Sequence, residues 1–238
     1  MRIFCNGCSW ARGGELKIPE KSRYSTLLGQ MFDAEVVNIA RSGSSLQRLL
    51  RSTYERCDPS KYDVAILQFT LPTRTEYYVD GMGESRKDSF MRVLPQVTTT
   101  AVDFVRKKLK ITDNHLEYQQ SYYKTAYSVE MAQTFEFMVF QALQDYFARH
   151  NVPVVTMTLS NESVLPFDLK INTKDIPRAK HEHPNELGHR FIAKKLEPLI
   201  KERLRNGNNY VDVKKFHLDR LKRDHEKILK ESDHTDYN

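Results

Sequence analysis

An α/β fold built on a parallel sheet is predicted by three features of this sequence. Short apolar runs alternate with amphipathic segments. Each run is rich in Val, Ile, Leu or Phe, and each is bounded by turn or polar residues. Strands covered on both faces read as unbroken Val, Ile, Leu and Phe, and strand–helix alternation predicts a parallel sheet joined by crossover helices. The chain has 238 residues, 39% of them hydrophobic and 11% aromatic. A chain of that size and composition buries a sizeable core, which excludes wholesale disorder.

Four runs qualify as strands: Arg2 to Asn6, Glu35 to Ala40, Asp63 to Phe69 and Val152 to Leu159. Between the first three lie helical patterns at Ser22 to Phe32 and Ser44 to Arg56. Another follows at Asn185 to Arg205, where Leu187, Phe191, Ile192, Leu196, Leu199, Ile200 and Leu204 recur at near-helical intervals. Residues 70–150 break the rhythm and read as a mostly helical insertion between the third and fourth strands. It holds a glycine-bearing loop at Asp80 to Gly83, a helix at Thr98 to Leu109 and a long aromatic helix at Tyr118 to Arg149. Aromatics at helical spacing form core or the wall of a ligand pocket. After Asn206-Gly207 a charged tail helix is expected over Val211 to Glu231, with Leu218, Leu221, His225 and Ile228 forming a narrow seam. The division is therefore an α/β domain, 1–206, and a helical tail, 207–238, able to dock on the body or pair with a second copy.

Lys and Arg number 37 against 31 Asp and Glu, a net charge of +6. The signs are interleaved, so the chain reads as a mildly basic soluble protein and nucleic acid is not an expected partner. No apolar stretch approaches the roughly 18 residues of a membrane span. Three cysteines point to a reducing compartment, and the first residues lack the apolar region of a secretion signal. A cytoplasmic location is expected. There is no Walker loop, dinucleotide fingerprint or zinc-protease helix, so no cofactor and no metal is expected. Cys5 and Cys8 do have redox or metal spacing, and with His181 and His183 they would make a two-Cys, two-His zinc set.

Three motifs carry chemistry. Gly7-Cys8-Ser9-Trp10 follows the first strand, where a serine sits at the mouth of the sheet with its own N–H beside its hydroxyl. Asn38-Ile39-Ala40-Arg41-Ser42-Gly43-Ser44-Ser45 follows the second. His183-Pro184-Asn185-Glu186-Leu187-Gly188-His189 opens the last long helix, with His183 held just outside it as a general base requires. Read singly, the first is also a plain turn, and the second is also a helix cap.

Taken in order, Gly-x-Ser, Asn-x-x-x-x-Gly and His-Pro-Asn-x-x-Gly-His resemble the SGNH, or GDSL-like, hydrolase superfamily across most of the chain outside the insertion and tail. The resemblance implies a flavodoxin-like three-layer sandwich. It implies Ser9 as nucleophile, His183 as base, and the N–H groups of Ser9 and Gly43 as oxyanion donors. Two positions depart from the pattern. The family's Asp two or three residues before the histidine is replaced by His181 and Lys180, leaving Glu182, Asp175 and Asp168 as candidate orienting acids. The third-block Asn is also absent, so Gln68, Thr70 or Arg74 would donate in its place. The implied activity is hydrolysis of a small acyl or O-acetylated, sugar-type ester, with acyl transfer as its close variant. The missing Asp and Asn equally fit a catalytically weak or inactive scaffold that binds or assembles.

Overall fold

The computed structural model describes residues 1–78, 90–93, 117–118, 121–159, 163–207 and 210–212. In chain order the elements are β1 (Arg2–Asn6), α1 (Ser9–Arg12), α2 (Pro19–Ser22), α3 (Tyr24–Phe32), β2 (Glu35–Asn38), α4 (Leu46–Arg56) and β3 (Val64–Phe69). These are followed by β4 (Thr75–Tyr78), β5 (Phe90–Val93), α5 (Val129–Ala148), β6 (Val154–Thr158), β7 (Leu169–Lys170) and α6 (Glu186–Asn206). Five strands form one sheet in the order β2-β1-β3-β6-β7, every neighbouring pair parallel. With the β4–β5 pair set aside, this is the flavodoxin-like doubly wound order 2-1-3-4-5.

Strand alternation sorts the core into two layers. Ile3, Cys5, Val64, Ile66, Val155 and Met157 face one side, with Trp10, Tyr24, Leu28, Ile192, Leu196 and Ile200 from α1, α3 and α6. Phe4, Ala65, Leu67, Phe69 and Val154 face the other, with Leu46 and Leu49 of α4 and Val139, Phe140, Leu143 and Phe147 of α5. Each large apolar side chain removed from water in this way contributes about 1.5–3 kcal/mol before the entropy of ordering is counted. The helices after β1 and after β2 lie on opposite faces, so the switch point falls between β1 and β3. Ligands of open α/β sheets bind beyond the carboxyl ends of the strands at that point.

The four predicted strands all form, the first over its predicted span and the other three with trimmed ends. The second stops at Asn38 because Ala40 N–H donates to Asn38 Oδ1 at 2.9 Å, turning the chain out of the sheet. The fifth strand, β7, is only two residues long, too short for an apolar run to announce. The insertion is not all helical: β4 and β5 pair antiparallel. The single helix expected over Tyr118 to Arg149 is broken. A π-turn at Tyr122–Ala126 is separated from α5 by Tyr127 and Ser128, and Ser128 caps the helix by accepting from Met131 N–H at 3.0 Å. The insertion is held down by Arg51 of α4, whose guanidinium pairs with Glu76 at 3.0 Å. Tyr123 also donates to Thr73 carbonyl at 2.8 Å. The predicted loop at Asp80 to Gly83, the helix at Thr98 to Leu109 and the tail seam lie outside the described residues. Of the tail, Tyr210 donates to Asp145 at 2.8 Å and Val211 N–H to Gln144 at 3.2 Å, so its first residues lie along α5. Among the described residues no helix is long and apolar enough to cross a membrane.

Candidate active site

Ser9 opens α1 directly beyond β1 and is 8% exposed. Its station is fixed from both sides. Behind it, Asn6 is fully buried and donates to Ser52 Oγ at 3.0 Å and Thr53 Oγ1 at 2.9 Å of α4, while its Oδ1 accepts from Gly7 N–H at 2.8 Å. Ahead of it, Asn38 donates to Ala11 carbonyl and to Ser25 Oγ, both at 2.8 Å, pinning α1 to the end of β2. As the first residue of a helix, Ser9 has an N–H with no acceptor inside that helix.

The loop after β2 lies against the same turn, because Arg41 N–H donates to Gly7 carbonyl at 3.2 Å. Gly43 sits in this loop at φ +70°, a left-handed backbone that only glycine adopts freely. Ser45 closes the loop by capping α4 through Arg48 N–H at 3.1 Å. Arg48, 6% exposed, braces the loop from beneath by donating to Ser44 Oγ at 3.1 Å. Beyond β3, Thr70 is buried and its Oγ1 accepts from Arg74 at 3.0 Å. Gln68 is committed elsewhere: it is fully buried and donates to Cys8 Sγ at 3.1 Å.

His183 reaches this edge from a loop closed on itself by Ala179 N–H donating to His183 carbonyl at 2.7 Å. Asn185 then caps α6 through Gly188 N–H at 3.0 Å. The imidazole fills the space beside Gly14. A Cβ built there would stand 2.9 Å from His183 Cδ2 and 3.2 Å from Nε2. Gly14 in turn donates its N–H to Ser9 carbonyl at 2.7 Å. The histidine ring and the serine turn are thus joined through one residue. Among the described residues no hydrogen bond links Ser9 Oγ directly to His183.

None of the three predicted acids lies at His183. Asp168 pairs with Arg203 and accepts from Thr156 N–H at 2.7 Å. Glu182 has φ +70°, which turns it away to pair with Arg178. Asp175 is exposed, in a 3₁₀ turn at Thr173–Asp175. The carboxylate at the ring is Glu15. Its Oε2 is 2.9 Å from His183 Nδ1 and accepts from His183 N–H at 3.1 Å, and its Oε1 accepts from His181 N–H at 2.9 Å. Partial burial acts to raise the pKa of Glu15, but the hydrogen bonds from His181 and His183 outweigh it and hold the carboxyl below its ordinary range. Glu15 also has φ +64°, a left-handed conformation that costs a non-glycine residue about 1–2 kcal/mol. The sequence signal for it was an acid placed immediately after Gly13-Gly14, at the end of the serine turn.

His189, the last residue of the same motif, is fully buried and does not join the site. Its Nδ1 accepts from Tyr24 N–H at 3.1 Å and its ring stacks on Tyr24. The three cysteines are free and buried. Cys5 faces the core, 3.7 Å from Tyr24 Oη, and burial pushes its thiol up to about 11. Among the described residues no three His, Cys, Asp or Glu side chains are grouped to hold a metal ion.

No family model matches the chain, and no curated protein matches it in sequence. Solved structures do. The esterase EstA from Pseudoalteromonas sp. superposes with a TM-score of 0.49 at 14% identity, covering 86% of this chain and 99% of its own. The acetyl xylan esterase AlAXEase gives 0.45 at 13%, covering 84% and 99%. A two-domain esterase active on acetylated mannans gives 0.37 at 19%, covering 89% and 52%.

Proposed function

We propose that this protein is a serine ester hydrolase acting on a small acyl or O-acetylated, sugar-type substrate through Ser9 and His183. The observation that carries the reading is the junction at Gly14. Its N–H holds the Ser9 turn, and its vacant side-chain position receives the His183 ring. A nucleophile and its base need that shared frame. Ser9 Oγ adds to the ester carbonyl carbon while His183 Nε2 takes its proton. The oxyanion is met by the N–H groups of Ser9 and Gly43. Collapse breaks the acyl–oxygen bond, and the proton passes from His183 to the departing alcohol. Water, deprotonated by His183, then releases the acid and restores Ser9. Arg74, anchored on Thr70 beyond β3, supplies a further donor to the substrate's polar groups. Another alcohol replacing water in the second step gives acyl transfer from the same acyl-enzyme.

A fluorophosphonate reagent tests this directly, because it reacts with an activated serine. Labelling of the wild-type chain that disappears in Ser9→Ala and His183→Ala supports the hydrolase. An unlabelled wild-type chain, with no turnover of p-nitrophenyl acetate, favours the inactive scaffold.

A further inference from the structure

We infer that Glu15 is the residue that positions His183, so that nucleophile and orienting carboxylate both come from the seven-residue segment Ser9 to Glu15. The inference rests on the hydrolase reading above and assigns the role that Glu182, Asp175 and Asp168 do not fill.

The argument begins with protonation. The hydrogen bonds that hold Glu15 ionised leave it able only to accept. The imidazole nitrogen 2.9 Å from it must then carry the proton, since two acceptors at that distance would repel. In the neutral ring this fixes the tautomer, with hydrogen on Nδ1 and the lone pair on Nε2. Nε2 is the atom at 3.2 Å from the Gly14 Cβ position, beside the turn that holds Ser9. The same carboxylate also receives the backbone N–H of His181 and of His183. Ring and backbone are therefore held by one group, which fixes both the rotation and the place of the base.

The backbone supplies a second observation. Glu15 follows two glycines and has φ +64°, where glycine is the residue that fits without strain. A charged side chain kept at such a position is one that the turn itself does not call for. Its four acceptor contacts, from three donor groups, all go to the histidine loop. This arrangement also removes the need for an acid within the loop: Lys180 and His181 are free to be what they are because the carboxylate arrives from the other side.

The test uses the full chain with Glu15→Gln, Glu15→Gly and the double variant E15Q/H181D. Glu15→Gly keeps the left-handed backbone while removing the carboxylate, so it separates the acid from the turn. Each is followed by fluorophosphonate labelling, by kcat and KM on p-nitrophenyl acetate, by thermal melting, and by ¹⁵N spectra of the histidine rings. Glu15→Gly is expected to lower kcat by 10²- to 10⁴-fold, the range set by loss of tautomer control, with KM little changed. The His183 signal moves from the Nδ1–H tautomer to a mixture. H181D, which places an acid just ahead of the base, recovers at least tenfold of the loss in Glu15→Gln. Wild-type kcat and an unchanged tautomer in a folded Glu15→Gly protein would overturn the inference and make Glu15 a brace for the loop. If the wild-type chain is itself unlabelled, the hydrolase reading fails. The ¹⁵N spectra then decide the Glu15 assignment alone, since an Nδ1–H signal that survives Glu15→Gly overturns it.

Discussion

Gly14 lacks a side chain where the His183 ring needs the room. Gly14→Ala therefore displaces the imidazole by a fraction of an ångström up to about one, and misplacement on that scale costs roughly 100-fold in rate. Hydrolysis should fall by about that factor while the melting temperature scarcely moves, because the contact is at the protein's rim. His189 behaves in the opposite way. It is fully buried, and burial first, then the charges of His183 and Arg23, depress its pKa from 6.5 to about 4. Above pH 6.5 it is neutral in folded and unfolded chains alike. Between 6.5 and about 4 only the unfolded chain takes the proton, so stability falls as pH falls, by up to about 3 kcal/mol in all. Urea midpoints measured across that window should show the slope. His189→Gln, which keeps an acceptor for Tyr24 N–H, should flatten it. Two histidines six residues apart thus differ in kind, and the motif carries the difference: His183 stands just outside the helix it opens, and His189 packs from within it. The turns that carry Ser9 and His183 were legible because each has a recognisable local pattern. Glu15 was not, because its contact spans 168 residues and depends on how the chain returns to the sheet edge.

Among the elements, those with chemical end signals were read closely. The Asn185 cap begins α6 one residue after its expected start, and the Ser45 cap begins α4 two residues after its own. Elements defined only by pairing, such as β7 and the β4–β5 couple, carry no such signal. The break at Tyr127-Ser128 was hidden because aromatic residues continue across it. Asn185→Ala should cost about 1 kcal/mol of stability, the usual effect of an N-cap. It should also lower hydrolysis, since Asn185 Nδ2 additionally donates to Arg178 carbonyl, at 3.3 Å, inside the His183 loop. Ser45→Ala should lose similar stability. Denaturant midpoints set beside rates check both.

For the molecule as a whole, the order of layers followed from the apolar runs, but what joins the far edge of the sheet to the last helix did not. That joint is Asp168, which holds Arg203 of α6 and the backbone of β6 together. Arg203 is 7% exposed. Asp168→Ala leaves a buried guanidinium without its partner, and losses of about 3 kcal/mol or more are usual for such changes. The folded fraction that remains should keep its turnover per molecule, measured by active-site titration. An acid that oriented the base would lose rate instead.

Ser9 and Glu15 leave the ribosome long before His183. Synthesis at about 5–20 residues per second separates Glu15 from His183 by roughly 10–30 s. On the proposed chemistry the emerging polypeptide is inert for all of that interval, because its serine has no base. Reactivity switches on only when α6 has packed against α3 and the sheet, so a covalent label on Ser9 doubles as a clock for the completion of folding.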